Sequence, residues 1–178
     1  MSVRLNIGSG VHPAPGWVNI DRNSPDDWAV DVVATALYLP FADKSADRAY
    51  FGHILEHLSY DGDAVAALRE AWRVLKYGGE LGVVGPAMDL ALETGQPEGI
   101  IEAIKITPVD PDYEYDSETP AGLGHLWEAN VANTFELVRS VFPNALVVPV
   151  EKINRATGWP NEETSPWQVA IIATRDSE

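Results

Sequence analysis

The 178-residue chain is strongly acidic, with 12 Lys and Arg residues against 27 Asp and Glu residues and a formal net charge of −15. Such a surface repels nucleic-acid phosphates and anionic membranes, so we expect neither as a direct partner. The absence of cysteine excludes disulfides and cysteine-based zinc sites. No apolar run approaches bilayer length and no secretory signal is visible, so we predict a single cytoplasmic domain spanning residues 1–178.

The first apolar stretch ends in a loop that contains two glycines. Val3, Leu5 and Ile7 predict a short buried strand, which Gly8 and Gly10 follow. Because glycine lacks a Cβ atom, the backbone there can adopt positive φ and let a ligand approach its N–H groups. The pattern favours a small-molecule site, although two turn glycines after a strand would explain it equally well.

A second predicted strand, residues 17–20, ends at an acidic side chain. Asp21 is placed to accept hydrogen bonds from both ribose hydroxyls of a nucleoside, and the alternative is a solvated loop carboxylate. Pro13 occupies the position where the dinucleotide-binding fingerprint requires its third glycine. The sequence therefore disfavours a nicotinamide oxidoreductase.

The later elements alternate in the manner of an α/β protein. We predict strands at residues 30–34, 48–51, 81–84, 145–150 and 167–174, and helices at residues 63–76 and 129–141. Asp61 or Asp63 is expected to cap the first helix, and Gly78-Gly79 to end it. The last two strands are joined by a loop without a helix, which favours an antiparallel pair.

Five blocks along residues 3–86 together resemble a known family. They are LNIGSG, WVNID, LPFADKSAD, HILEHL and LREAWRVLKYGGELGVVGP. In this order they are similar to small class I S-adenosylmethionine-dependent methyltransferases of the type 11 kind. The resemblance implies an α/β, Rossmann-like fold with a doubly wound, mostly parallel sheet of seven strands, the last of them antiparallel.

The resemblance also implies S-adenosylmethionine as the cofactor and a set of residues that bind it. These are Asn6, Gly8, Ser9 and Gly10 for the methionine end, Asp21 with Arg22 for the ribose, Thr35, Ala36 and Leu37 for the adenine, and His53 facing the cofactor. Asn6 and Thr35 depart from the family pattern, which has acidic residues at both positions. Because Thr35 is a weaker acceptor than a carboxylate, we expect reduced cofactor affinity.

The segment His53-Ile54-Leu55-Glu56-His57 also fits the H-x-x-E-H pattern of inverted zinc proteases. That chemistry needs both histidines in the body of one helix and a third ligand from elsewhere. Gly52 and a strand come directly before His53, so we expect at most one helical turn and predict no bound metal. For Glu56 and His57, a hydrogen-bonding role at the edge of a cleft is an alternative to catalysis.

Residues 87–128 follow the fifth strand at the end of the sheet where ligands bind, which makes them a candidate substrate lid. Their acidic run, residues 110–118, begins like a calcium-binding loop but lacks its turn glycine and final glutamate, so a solvated loop is expected. His125 could reach the cleft as a base, and Trp127 could stack on a substrate. A packing tryptophan beside a half-exposed histidine explains the pair equally well.

The sequence thus predicts a methyltransferase that acts on a small-molecule acceptor. If the acceptor must lose a proton, His53, His57 and His125 are the candidate catalytic bases, because histidine exchanges protons near neutral pH. One alternative is a cofactor-binding module without catalysis. A nicotinamide oxidoreductase and an H-x-x-E-H zinc hydrolase are less favoured.

The connections between the first three strands are short. Residues 8–16 and 21–29 leave little room for the helices that normally cover a parallel sheet, so this part of the fold should be trimmed. We therefore expect an exposed apolar patch that includes Trp17 and Trp28, unless residues 87–128 cover it. From this patch we predict a homodimer about a two-fold axis.

Overall fold

The computed structural model describes residues 2–26, 28–105, 125–161 and 164–177, so the acidic run at 110–118 lies outside the described residues. Its strands are β1 (Arg4–Ile7), β2 (Val18–Asp21), β3 (Val32–Val33), β4 (Ala46–Gly52), β5 (Leu75–Pro86), β6 (Leu146–Val148) and β7 (Gln168–Thr174). Its helices are α1 (Asp63–Val74), α2 (Met88–Glu93), α3 (Glu98–Ile104) and α4 (Val131–Arg139). Single 3-10 turns lie at Leu55–His57, Val150–Lys152 and Arg155–Thr157.

The seven strands form one sheet in the order β3-β2-β1-β4-β5-β7-β6. Strands β1 to β5 pair in parallel, and β7 runs antiparallel to both β5 and β6. This confirms the predicted doubly wound sheet with its antiparallel strand. The order reverses between β1 and β4, so the loops that follow these two strands diverge and leave a crevice at their carboxyl ends.

One face of the sheet packs against α1 and α4. Leu68 of α1 and Val138 of α4 belong to the same buried cluster as Leu5 and Ile7 of β1. Val65, Leu68 and Trp72 of α1, spaced three and four residues apart, lie in or against this cluster, as expected for one helical face. Among the described residues, none of the helices has the length and apolar character that crossing a bilayer requires.

The opposite face is covered by the chain between β6 and β7. Trp159 packs on Trp17 and Tyr50, with ring centroids 5.8 Å and 6.4 Å apart, and Ile153 joins the same buried cluster. Gly82 of β5 makes room for this packing, because a Cβ atom there would lie 2.6 Å from the Trp159 ring. The loop that joins β6 to β7 thus forms the layer on this face of the sheet.

This packing corrects the expected apolar patch. Trp17 is only 7% exposed, and Trp28 is half-buried. The described parts of residues 8–16 and 21–29 contain no helix, which agrees with the trimmed fold, but residues 149–161 replace the missing cover. Trp17 is therefore no candidate for an exposed interface, and the homodimer stays a prediction that this residue does not support.

The ends of α1 differ from those predicted. The N–H of Asp63 donates to Ser59 Oγ at 2.9 Å, and the N-cap position, Gly62, carries no capping side chain. At the other end, Nη1 of Arg175 donates to the carbonyl oxygens of Arg73 and Leu75 at 2.9 Å and 2.7 Å. The helix therefore ends at Val74 without the predicted glycine cap, because an arginine from beyond β7 satisfies the carbonyls.

Arg73, in the last turn of α1, holds the loop that leads into β4. Its guanidinium donates to the carbonyl oxygens of Phe41 and Leu39 at 2.8 Å and 3.0 Å, and it pairs with Glu70 and Asp43. Glu70 Oε2 also accepts the N–H of Leu39 at 2.9 Å. The hydrogen bond with Arg73 holds the pKa of Glu70 below its usual value.

We expect Arg73→Ala to lower the free energy of unfolding by about 1–2 kcal/mol at neutral pH, since Arg73 is partly exposed and its ion pairs are screened. The pKa of Glu70 is lower in the folded than in the unfolded chain, so the part that the Glu70 pair contributes is present above about pH 4.3 and is lost as the pH falls through the folded pKa. The hydrogen bonds to the two carbonyls remain at low pH. Urea denaturation of both proteins at neutral pH and near pH 3 measures the difference.

Arg69→Ala is the matched control, because Arg69 is an exposed arginine one turn earlier on the same helix. It should leave the stability nearly unchanged. Equal losses for Arg69→Ala and Arg73→Ala would mean that the loop does not depend on this network.

Candidate functional site

A cleft opens at the carboxyl ends of β1, β2 and β4. It has two lobes of about 300 Å³ and 570 Å³, both lined by Gly8, Gly10, Trp28, His53 and His57. Volumes of about 300–1,000 Å³ are typical of small-molecule sites. The glycine loop and the H-x-x-E-H segment therefore meet across one cleft of the right size for a small ligand.

The glycine loop is tied to the end of β2. The N–H groups of Gly8 and Ser9 both donate to the carbonyl oxygen of Ile20, at 2.8 Å and 3.0 Å. Gly8 and Gly10 have positive φ of 71° and 49°. The expectation that these N–H groups are open to a ligand is thus wrong. Those of Gly8 and Ser9 donate to Ile20, and that of Gly10 donates to Asp21 Oδ2 at 2.9 Å, so all three hold the loop in place.

Asp21 lies at the tip of β2 and lines the smaller lobe. Its Oδ2 accepts the N–H of Gly10 and its Oδ1 accepts the N–H of Asn23, each at 2.9 Å. A carboxylate offers about four lone-pair positions, so each oxygen retains capacity for one more hydrogen bond. The side chain is therefore both fixed by the backbone and able to accept from a ligand.

Four of the five predicted adenine and ribose contacts line the same lobe, and one does not. Besides Asp21, these are Arg22, Thr35 and Ala36. Leu37 packs instead against the core and donates its N–H to Thr35 Oγ1 at 3.3 Å. Its side chain belongs to the wall behind the cleft.

Asn6 has a structural reason to be an amide. Its Nδ2 donates to Asn19 Oδ1 at 3.0 Å and to the carbonyl oxygen of His12 at 3.3 Å, which fastens the short β1–β2 connection. A carboxylate has no donor and could make neither bond. Asn6 also lines the larger lobe, beside Ser9, whose buried Oγ has no hydrogen-bond partner among the described residues.

His53 follows β4 in a left-handed backbone conformation, with φ of 53°. Its Nε2 lies 2.7 Å from Nε2 of Gln168, whose Oε1 accepts the N–H of Ser165 at 3.0 Å. Since that bond orients the amide, Gln168 donates to His53, and the imidazole proton resides on Nδ1, 3.5 Å from Glu56 Oε1. The basic nitrogen of His53 is therefore already occupied.

Glu56 is a buried carboxylate, only 2% exposed. Burial raises its pKa, but the neighbouring imidazoles of His53 and His57 outweigh burial, so the pKa of Glu56 lies below its usual value. Burial, together with the negative charge of Glu56, raises the pKa of Tyr50. The segment holds its acidic side chain ionised beneath the cleft.

His57 and His125 meet beside this carboxylate. Their ring centroids are 5.2 Å apart, and one ligand atom from each of Glu56, His57 and His125 lies within 4.8 Å of the others. The turn at residues 55–57 confirms the expected single turn of helix. The structure thus places His125 beside Glu56 and His57, which sequence spacing alone could not reveal.

Trp127 is a packing residue. It is buried, its Nε1 donates to the carbonyl oxygen of Leu55 at 3.2 Å, and its ring meets Tyr60 edge-on at 5.0 Å. The stacking role on a substrate is therefore wrong. Of the candidate lid, residues 87–105 form α2 and α3, which the sequence did not predict, and residues 106–124 lie outside the described part of the chain.

Solved structures share this fold. A methyltransferase that depends on S-adenosylmethionine, from Methanosarcina mazei, is 17% identical, with a TM-score of 0.59 over 98% of this chain and 92% of its own. PigF, solved with S-adenosylhomocysteine, is 16% identical, with a TM-score of 0.57 over 98% and 56%. The cyclase SpnF is 17% identical, with a TM-score of 0.56 over 99% and 76%.

At identities this low, the structural similarity shows the fold alone. The protein has the α/β fold of class I methyltransferases. Residues 9–83 also match the family model described as a methyltransferase domain. Together these findings confirm the resemblance to the type 11 methyltransferases. No curated protein matches the sequence.

The two loop glycines provide a test of the cleft geometry. A Cβ atom on Gly8 would lie 2.4 Å from Ile54 Cδ1, whereas one on Gly10 would meet nothing within 4 Å. Both substitutions by alanine carry the cost of positive φ, about 1–2 kcal/mol. We expect Gly8→Ala to destabilise the protein by about 1–3 kcal/mol more than Gly10→Ala, because Ile54 must move.

Thermal or urea unfolding of the two variants measures this difference, with Gly10→Ala as the matched control for backbone strain. Equal losses would show that Ile54 does not pack over the loop as described.

Proposed function

We propose that the protein binds S-adenosylmethionine and transfers its methyl group to a small-molecule acceptor. The observation that carries the proposal is the hydrogen bond between Asp21 and the glycine loop. Gly10 donates its N–H to Asp21, while that carboxylate keeps free lone pairs on the cleft side of β2. A nucleoside can therefore be recognised at the place where the fold class puts its ligands.

The surrounding residues fit this cofactor. Asp21 would accept hydrogen bonds from the ribose hydroxyls, with Arg22 and Thr35 lining the same lobe. In the larger lobe, the buried Ser9 hydroxyl can both donate and accept, and the two amide hydrogens of Asn6 are already used, which leaves its carbonyl oxygen for an amine. These groups suit the amino-acid end of S-adenosylmethionine.

The cofactor, when bound, supplies a sulfonium that is already an activated electrophile. The main task of the chain is therefore to hold the acceptor in line with the methyl group and to exclude water. The aromatic side chains of Trp28 and Trp167, which line the larger lobe, provide apolar walls for an acceptor. The excess of acidic residues argues for a small molecule rather than a nucleic acid.

Among the predicted bases, His57 is favoured when the acceptor must lose a proton. It lines both lobes, whereas Nε2 of His53 is held by Gln168 and His125 is absent from both linings. His53 then acts as a positioning residue, since its Nδ1 lies beside Glu56. The two roles differ because Nε2 of His53 is held by Gln168, whereas His57 borders the cleft.

The second candidate is a cofactor-binding protein with a different chemistry or none. The likeness to the cyclase SpnF favours keeping it, because one fold can carry unrelated reactions. Release of S-adenosylhomocysteine, measured with hydroxyl, amine and thiol acceptors, separates the two candidates. Binding without release for every acceptor class would favour the second.

We expect the protein to bind S-adenosylhomocysteine in isothermal titration calorimetry. Asp21→Ala should weaken binding by about 1.5–3 kcal/mol, the range for hydrogen bonds to a charged group. Asp21→Asn, which keeps the shape and one acceptor oxygen, should lose less.

The control is Asp61→Ala, because Asp61 is exposed and lies outside the cleft lining. Its affinity should equal that of the unchanged protein. Absence of binding to the unchanged protein would overturn the proposal, and an equal loss in Asp61→Ala would remove Asp21 from the site.

A further inference from the structure

Three ligand-type side chains converge beneath the edge of the cleft. Glu56 and His57 come from the 3-10 turn after β4, and His125 enters from the chain that precedes α4. One ligand atom of each lies within 4.8 Å of the others. We propose that Glu56, His57 and His125 bind a divalent transition-metal ion.

Two polar atoms of these side chains are buried and lack a well-formed hydrogen bond. Glu56 Oε1 faces His53 Nδ1 at 3.5 Å, which is long for a hydrogen bond, and His57 Nδ1 has no hydrogen-bond partner within the described residues. Glu56 is only 2% exposed. A buried polar atom left unsatisfied destabilises the fold. A bound cation would satisfy both the carboxylate oxygen and the imidazole lone pair at once. With the metal on Nδ1, His57 carries its proton on Nε2 and acts as a ligand in place of the base proposed above.

The third side chain is oriented as a ligand usually is. His125 Nδ1 donates to the carbonyl oxygen of Ile104 at 2.7 Å, which fixes the tautomer and leaves the lone pair on Nε2. Metal-binding histidines almost always donate their other N–H to a carbonyl or a carboxylate. The ring of His125 also meets that of His57 edge-on, so both imidazoles already face one small region.

The ligand set is not the one that the H-x-x-E-H pattern prescribes. His53 is directed to Gln168 and lies outside the cluster, and His125 takes the place of the third ligand whose absence led the sequence to predict no metal. Two imidazoles and one carboxylate suit zinc, iron or manganese and leave positions open for water or a substrate. Because His57 also lines the cleft, the site adjoins it.

Binding one ion requires the three ligand atoms to move closer together. Ligands about 2.0–2.1 Å from a tetrahedral zinc lie about 3.4 Å from one another. The three atoms need to approach by an ångström or so from their present limit of 4.8 Å.

The test is titration of the chelator-treated protein with Zn²⁺, and separately Mn²⁺, by calorimetry. We expect one Zn²⁺ per chain, and an affinity at least about tenfold weaker in Glu56→Gln and in His125→Asn. His125→Asn keeps a donor for Ile104 and loses the ligand nitrogen. His12→Ala is the matched control, since it also removes one histidine, an exposed one outside the cluster.

Unfolding curves in chelator show whether each variant is folded, and the visible spectrum of the unchanged protein with Co²⁺ reports nitrogen and oxygen ligation without any variant. Absence of binding by the unchanged protein would overturn the inference. So would an affinity loss in His12→Ala as large as that in His125→Asn. Titration with S-adenosylhomocysteine in chelator tests the proposed function separately, so either can fail alone.

Discussion

The cleft depends on the hydrogen bonds that join the loop after β1 to the end of β2. The carbonyl oxygen of Ile20 receives two N–H groups of that loop, and the carboxylate of Asp21 receives a third. In a larger relative of this fold a helix between the strands would set their spacing, but here ten residues, 8–17, connect them. These backbone N–H groups hold the strands in register and cannot donate to a ligand. Side chains must therefore recognise the ligand.

The short connections between the first strands also determine how the other face of the sheet is covered. With no room for helices among the first three strands, the segment between β6 and β7 crosses back and lays Trp159 on Trp17 and Tyr50. A parallel sheet needs cover on both faces, and aromatic rings supply a large apolar area from a short segment. The resulting layer lets a trimmed fold remain a complete sandwich.

The sequence predicted the sheet well because its information there is local. Alternating or continuous apolar runs located all seven strands, although β5 begins at Leu75, where the sequence predicted the end of α1. The spacing of apolar residues located α1 and α4. The sequence did not predict contacts between residues far apart along the chain. Arg175 at the end of α1, Trp159 over Trp17, and His125 beside His57 join positions that no pattern in a single sequence connects. Helices α2 and α3 were missed since each is a turn or two long.

Two distant contacts start at the two ends of β7. Gln168, at the start of β7, orients the imidazole of His53, and Arg175, just past its end, satisfies the last carbonyls of α1. During vectorial synthesis the strands β1 to β5 are made before either of these side chains. The orientation of His53 is accordingly settled only when β7 inserts between β5 and β6.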